Sequence, residues 1–435
     1  HEKSGHARWY LLRQLVRQSG LDYVVSMLRS NRKLDWILPP SVSVKDFNQP
    51  HVLSIYVDPF EKLKVGIRQA CRSKNESILT ATYKKLPKRY RKILLLVAMY
   101  VDVTLSVAEN ILPDQNIEDS PLVKCLPKCE TDCNNRMVKG LLSNQLGHHG
   151  KHLNINPQQD VTEQSLAALV THFAIVFTNV FENCLTKPFK TIIESPQNMQ
   201  GVLLPTMPQD DLVEIYETMA QELKRGWDSH GNFGVYRCKN QHIFMVNNCG
   251  HLTEDNALCP TCKAPIGGSS YNKPQPGVTN VKRDEIKDTT ETGHCLGPAE
   301  LRTKDPYPER KLTRLTMSVL RFFVHLALYA GANHFQADIR SLIKGAPVGP
   351  TNTFLWNHLV FDLDILSKCV NRSRDDVFLL MHILLKSIAS SEGTRAKFSL
   401  DDKGSRERWE EAFANTYLTP VLTNYNDELQ QATVI

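Results

Sequence analysis

One short stretch constrains the fold of this chain more than any other, because it gathers six side chains of the types that bind metal ions. They are Cys238, His242, Cys249, His251, Cys259 and Cys262. Three residues separate Cys238 from His242, and two separate Cys259 from Cys262. Two such short-spaced pairs are typical of a structural zinc site, where thiolate sulfur and imidazole nitrogen surround the ion tetrahedrally. We therefore expect a zinc ion here and a small module that folds around it.

The sequence around these pairs changes from helical to β-type. The runs FGVYRC (233–238) and HIFMV (242–246) each carry a metal-type residue at one end. Small zinc modules are built in this way because the metal replaces a core that they are too small to assemble. Residues 269–309 are poor in apolar groups and are predicted to form a long structureless connection.

Helical patterns lie on both sides of this module. Apolar stripes predict helices in 9–18, 21–30, 92–111, 165–181, 210–227, 311–333, 353–370, 375–390 and 406–422. Ser373, three residues before Asp376, is predicted to cap one helix, and Gly331 to end another. The fold is therefore predicted to be predominantly α, with helical bundles flanking a small β-containing zinc finger. The predicted domains are a helical region (1–205), the finger with its following loop (206–300), and a second helical region (301–435).

Composition sets broad limits on this interpretation. The chain has 435 residues, 41% of them hydrophobic and 23% charged, with a net charge of +6. These values fit an ordinary globular protein, and the mild positive charge permits an acidic partner without requiring one. The 11 cysteines are odd in number and unevenly spaced. This pattern argues against a disulfide framework and indicates a reducing, cytoplasmic compartment.

No segment reads as a convincing membrane span. The best candidate, 165–181, is interrupted by polar residues and follows a helical stripe, so a buried core helix is expected. The chain starts at His1 without a leader, and we expect it to be a piece of a longer protein. It contains no phosphate-binding loop and no visible ring finger, so any ATPase motor would lie outside it.

Cys249 and His251 are left over once four groups hold zinc. Cys249 has three interpretations: a fourth ligand in place of His242, an inert buried thiol, or a nucleophile. A nearby zinc ion and His251 would lower the pKa of the thiol and raise the reactive thiolate fraction. Spacing alone does not decide among the three.

The pattern C-x3-H, then Cys-Gly, then C-x2-C followed by APIGG resembles the RZ-type zinc finger of the mysterin-like AAA+ ring-finger ubiquitin ligases. The stretches ETGHCLG (291–297) and LRFFVHLALYAGAN (320–333) resemble the segment that follows that finger. The resemblance is strong over 236–333 and looser elsewhere. It departs from the family pattern after the double glycine, where some relatives have a histidine and this chain has Tyr271 and Asn272.

The resemblance implies a division of roles among these side chains. Zinc would be held by Cys238, His242, Cys259 and Cys262. Cys249 would accept ubiquitin from a conjugating enzyme by thioester exchange and pass it to protein lysines or lipopolysaccharide hydroxyls. His294 would act as a base during that transfer, brought in by a mobile loop. The added thiol of Cys295 has no assigned role.

Two other functions compete with this one. A non-catalytic zinc module would dock the conjugating enzyme or a substrate, and an RNA-binding finger would use the basic patch 83–92 to grip phosphates. That patch also reads as a solvated helix face. A weaker metal pattern, formed by Cys125, Cys129 and Cys133 with nearby histidines, reads as an exposed loop because Pro127 interrupts the helix that would align them.

Overall fold

A computed structural model describes most of the chain from residue 161 onward. The described ranges are 161–180, 183–225, 234–240, 242–246, 256–267, 275–282, 286–302, 311–345, 349–391 and 398–434, with a few isolated helical residues before them. Most of the predicted helices in 9–18, 21–30 and 92–111 lies outside this description, as do the cysteines of 125–133 and most of the basic patch 83–92. The chain divides into two compact units, one of residues 208–291 and one of the remaining residues.

The described part of the second unit is built from helices, and we call this unit the helical unit. Its described helices, with α3 left for the other unit, are α1 Val161–Asn179, α2 Lys187–Glu194, α4 Arg314–Ala332, α5 Gln336–Leu342, α6 Thr351–Val370, α7 Arg374–Ser390, α8 Lys403–Phe413, α9 Thr419–Leu422 and α10 Tyr425–Val434. Short 3₁₀ turns occur at Pro196–Met199 and Ala299–Leu301, and a π turn, Ala414–Leu418, joins α8 to α9. The prediction of a predominantly α fold is confirmed.

Helix α4 lies at the centre of the helical unit. It packs against α1, α2, α5 and α6, and nearly all of its side chains are buried. The ring of Phe323 on α4 meets Phe173 of α1 and Phe189 of α2 edge-on, at centroid distances of 5.3 and 6.3 Å. Among the described helices, α4 is long and apolar enough to cross a membrane, but 94% of its apolar window is buried inside the protein. It is therefore a core helix.

Local signals explain where one helix begins and how another packs. The hydroxyl of Ser373 accepts a hydrogen bond from the backbone N–H of Asp376 at 3.2 Å, as predicted for the start of α7. Gly331 was predicted to end α4, but the helix continues to Ala332. A Cβ at position 331 would lie 2.5 Å from the carbonyl oxygen of Ile192, so this glycine permits close approach of α2 instead.

The unit of residues 208–291, the finger unit, contains α3 Leu212–Arg225 and a small antiparallel sheet. Its strands are β1 Gly234–Arg237, β2 Ile243–Val246 and β3 Thr279–Val281, in the order β2-β1-β3. The two predicted β-type runs thus form β1 and β2. Strand β3 corrects the prediction of a structureless connection over 269–309. Its three residues are too few for an alternating pattern, and pairing with β1 supplies the order that the local sequence lacks.

Candidate metal centres

The four predicted zinc ligands of the finger unit converge. One ligand atom from each of Cys238, His242, Cys259 and Cys262 lies within 4.8 Å of the other three. Cys238 follows β1 directly and His242 precedes β2, so the turn between the two strands brings this pair together. The backbone N–H of Cys238 donates to the carbonyl of His242 at 2.9 Å and closes that turn.

The distances between these ligand atoms fit a single tetrahedral ion. Zinc with Zn–S bonds of about 2.3 Å and Zn–N bonds of about 2.0–2.1 Å holds two sulfurs about 3.8 Å apart, and sulfur and nitrogen about 3.6 Å apart. The Sγ atoms of Cys238 and Cys262 are 3.7 Å apart, and Sγ of Cys238 is 3.5 Å from Nδ1 of His242. The donor set, three thiols and one imidazole, is one that zinc favours.

A tight knuckle presents the second pair. The backbone N–H of Cys259 donates to the carbonyl of Ala264 at 2.8 Å, and that of Lys263 donates back to Cys259 at 2.9 Å. Lys263 adopts the left-handed conformation, with φ of 58°, which turns the chain sharply after Cys262. Both sulfurs of the pair therefore point to one side of the turn, as the convergence of the four ligands requires.

The electrostatics of the cluster favour a bound cation. A hydrogen bond from the backbone N–H of Ala264, supported by the side-chain amide of Asn240, lowers the pKa of the Cys262 thiol to about 6. Burial raises the pKa of the Cys238 thiol. A buried thiolate at Cys238 thus needs a positive charge beside it, which a zinc ion supplies. Cys249 and His251 lie outside the described residues, so the three interpretations of Cys249 stay predictions.

His294 belongs to the helical unit, where it is fully buried. From the sequence we expected a mobile loop around it. Instead, the backbone N–H of His294 donates to the carbonyl of Leu342 at 2.8 Å, and its carbonyl accepts from Lys344 at 2.9 Å. Gly293 makes this docking possible, because a Cβ there would lie 2.3 Å from the carbonyl oxygen of Leu342. Its φ of 79° also favours glycine.

The ring of His294 belongs to a group of three buried imidazoles that was not predicted from the sequence. Its Nε2 lies 2.9 Å from Nε2 of His325 on α4. His358 on α6 completes the group, and one nitrogen from each ring lies within 4.8 Å of the other two. Burial lowers the pKa of each of the three imidazoles and is the largest cause of each shift. The rings are therefore neutral at physiological pH.

Two charged side chains border this histidine cluster, which we define as His294, His325 and His358. Asp362, one turn after His358 on α6, accepts a hydrogen bond from Nδ1 of His325. Arg302 pairs with Asp362 at 2.9 Å and donates to Nδ1 of His358 at 2.9 Å. The signal for these residues is visible in the sequence: a histidine within the apolar stripe of α4, and a histidine and an aspartate four residues apart within α6.

The fold and the first cluster define a class of domain. The family model described as the RZ type zinc finger domain matches residues 219–279, which include the four converging ligands. The chain is thus a predominantly α protein that carries an RZ-type zinc finger, and its four-residue cluster fits zinc.

Curated relatives resemble nearly the whole chain. The E3 ubiquitin-protein ligase rnf213-beta of Danio rerio is 30% identical over 432 residues, which cover 98% of this chain and 8% of that protein. The E3 ubiquitin-protein ligases RNF213 of Mus musculus and Homo sapiens are 25% and 26% identical, over 94% and 97% of this chain. The chain spans 8% of the length of each of these relatives. The resemblance to mysterin-like ubiquitin ligases is confirmed.

Proposed function

We propose that this chain is the finger-bearing part of an E3 ubiquitin ligase, in which Cys249 carries ubiquitin as a thioester. Its partners would be a ubiquitin-charged conjugating enzyme and a substrate that presents lysine amines or lipopolysaccharide hydroxyls. The rest of a larger AAA+ ligase chain would supply the motor and the ring finger. A reducing, cytoplasmic setting is part of the proposal, because the finger needs free thiols.

The observation that supports this proposal is the geometry of the four ligands. Cys238, His242, Cys259 and Cys262 suffice for a tetrahedral ion, and the separations of their ligand atoms fit one. We infer that Cys249, one of the six metal-type side chains of the stretch, is not needed for coordination. It lies in sequence between β2, which ends at Val246, and the described segment that begins at Asn256. Because the chain is similar to proteins named as E3 ubiquitin ligases, we infer that the thiol of Cys249 accepts ubiquitin.

The chemistry would proceed in two displacements. The thiolate of Cys249 attacks the carbonyl carbon of the thioester between ubiquitin and the conjugating enzyme, and the enzyme's cysteine leaves as thiolate. An amine or hydroxyl of the substrate then attacks the new thioester. Cys249 leaves as thiolate, and a base accepts the proton from the attacking group.

His294 keeps a role in this proposal, but an indirect one. Its ring is buried and bonded to His325, which suits a residue that holds the helical unit in shape better than one that touches substrate. We therefore propose that His294 supports activity as a positioning residue. Replacement by Gln should lower the rate and the melting temperature together, and should leave the pH dependence of the transfer rate unchanged. A shifted pH profile at unchanged stability would instead indicate a catalytic base.

The test of the thioester is a single-turnover assay with a charged conjugating enzyme. The unmodified chain should take ubiquitin onto Cys249 as an adduct that reductant removes and that peptide mass spectrometry locates. Cys249→Ser should convert this adduct to a reductant-resistant ester, and Cys249→Ala should abolish it.

Cys295→Ser is the matched control, because it removes a partly buried thiol that is not among the four ligands. It should leave the adduct and the zinc content unchanged. If Cys249→Ala retains zinc and discharges the conjugating enzyme as fast as the unmodified chain, the thioester is wrong. The finger would then be a docking module for the conjugating enzyme or the substrate.

A further inference from the structure

The histidine cluster brings three neutral imidazoles unusually close together. The ring centroids of His294 and His325 are 5.1 Å apart, those of His294 and His358 are 5.1 Å apart, and those of His325 and His358 are 4.7 Å apart. All three side chains are fully buried. They come from three separate places in the fold: the segment after Gly293, the middle of α4 and the first half of α6.

This triangle has the dimensions of three imidazoles around one ion. A tetrahedral zinc with Zn–N bonds of about 2.0–2.1 Å places ring centres about 3 Å from the metal and about 5 Å from one another. The observed centroid distances match that spacing on all three sides. The 2.9 Å between Nε2 of His294 and Nε2 of His325 is a few tenths of an ångström below the separation of two ligands in such a site.

One group beside the triangle orients a ring for coordination. Asp362 accepts a hydrogen bond from Nδ1 of His325, which leaves Nε2 of His325 without a proton and directed at His294. Metal-bound histidines commonly carry such a carboxylate on their outer nitrogen. Nε2 of His358 is buried and has no hydrogen-bond partner among the described residues. An ion would satisfy this nitrogen, which otherwise costs the desolvation of an unpaired polar group.

We propose that His294, His325 and His358 bind a zinc ion through their Nε2 atoms, with Asp362 orienting His325. This site belongs to the helical unit, and the argument for it does not rest on the proposed ubiquitin transfer. It ties the segment that begins at Gly293 to α4 and α6. Three imidazoles without a thiolate form a donor set that zinc accepts.

Coordination has one consequence for Arg302. Its guanidinium now donates to Nδ1 of His358, which requires the proton of that ring to be on Nε2. Binding of zinc at Nε2 moves the ring proton to Nδ1, so Arg302 gives up this bond and keeps its ion pair with Asp362. The carboxylate of Asp362 thereby remains neutralised when the ion binds.

The test is the zinc content of the purified full chain, measured after weakly held metal has been removed by a mild chelator. We expect two zinc ions per chain. The double variant Cys259→Ser, Cys262→Ser should retain one, and replacement of its zinc by Co²⁺ should give a spectrum with no thiolate-to-metal band. One zinc in the unmodified chain, or none in this double variant, would overturn the proposal.

Variants of the cluster give an independent readout. His358→Gln should lower the content from two zinc ions to one, and Asp362→Asn should weaken the second ion by about 10- to 100-fold in chelator competition. The matched control is His172→Gln, which replaces a buried histidine of the same unit that pairs with His382 and belongs to no group of three among the described residues. It should retain both ions. Equal zinc content in His358→Gln and the unmodified chain would also overturn the site.

Discussion

The two clusters of metal-type side chains lie in surroundings of opposite kinds. In the finger unit, the described core consists of six buried residues, two of which are the candidate ligands Cys238 and Cys259. The histidine cluster lies in a core that spans the long described helices of the helical unit and is rich in aromatic rings, including Phe173, Phe189 and Phe323. In the finger unit the candidate ligands thus form a large part of the small core. In the helical unit the three histidines are a small part of a large core.

This contrast indicates what each metal would contribute. A module with so small an apolar core buries too little surface to offset its chain entropy, so the free energy of ion binding becomes its folding free energy. The helical unit has a large apolar core of its own. An ion there would fix one segment against α4 and α6 without deciding whether the unit folds. Substitutions in each unit can therefore test whether the finger depends on its ion and the helical unit on its apolar core.

The largest effect is expected from removing the ion of the finger. Cys259→Ser removes one of its four predicted ligands, and the loss of zinc binding costs the finger on the order of 10 kcal/mol. Amide hydrogen exchange of β1, β2 and β3 should then become as fast as in an unfolded chain. Cys295→Ser is the control and should leave this exchange slow. The comparison fails if the strands stay protected in Cys259→Ser, because the finger would then have a sufficient core of its own.

The same experiment should spare the helical unit. Its main melting transition, followed by circular dichroism, should keep its midpoint in Cys259→Ser, because none of its core residues is altered. A large drop in that midpoint would mean that the two units unfold together. The helical unit would then depend on the ion of the finger as well.

The next effect is expected from the apolar core of the helical unit. Phe323→Ala removes a fully buried ring that touches Phe173, Phe177 and Phe189, and should lower the free energy of unfolding by about 3–5 kcal/mol. Denaturant unfolding measures this loss. Leu301→Ala is the control, since its side chain is 80% exposed. The zinc content of the finger should be unchanged in both variants. Loss of this zinc in Phe323→Ala would contradict the view that the two units are stabilised independently.

The contrast also explains which regions of the molecule the sequence could predict. The zinc ligands were predictable because their spacing is local, and a tetrahedral ion needs only two short-spaced pairs on neighbouring turns. Long helices such as α4 and α7 were predictable because their apolar period repeats over many residues. Both kinds of feature depend on residues that are close in the sequence.

The histidine cluster could not be assembled in the same way. His294, His325 and His358 are far apart in the chain, and nothing local indicates that α4, α6 and the segment after Gly293 meet. The role of Gly331 was misread for a similar reason, because the carbonyl of Ile192 that demands a glycine comes from another helix. Strand β3 was missed because its order comes from its partner β1. Contacts between distant residues decide these features.

A third prediction concerns acid. Burial lowers the pKa of His172 to about 3, far below its ordinary value of 6.5. As the pH falls below 6.5, the unfolded chain binds a proton at this position that the folded chain refuses, so stability falls with pH. At pH 5 the loss from this residue should be about 2 kcal/mol relative to pH 7.5.

His172→Gln tests this loss, because it removes the titrating group while keeping a polar side chain beside His382. Denaturant unfolding at pH 7.5 and at pH 5 should show a difference about 2 kcal/mol smaller in the variant than in the unmodified chain. An identical pH dependence in the two chains would mean that His172 titrates normally. The helical unit would then be less tightly closed around its histidines than its burial indicates.

The smallest effect is expected at the start of α7, where the hydroxyl of Ser373 accepts a hydrogen bond from the backbone N–H of Asp376. Ser373→Ala leaves that N–H without its cap and should cost about 1 kcal/mol in denaturant unfolding. Ser391→Ala, at the other end of the helix, is the matched control, because its hydroxyl only shares a carbonyl that the backbone already uses. Equal losses in the two variants would show that the cap contributes nothing specific. A loss confined to Ser373→Ala would show that this one local hydrogen bond makes a small contribution to the stability of the helical unit. The finger, by contrast, depends on a single ion.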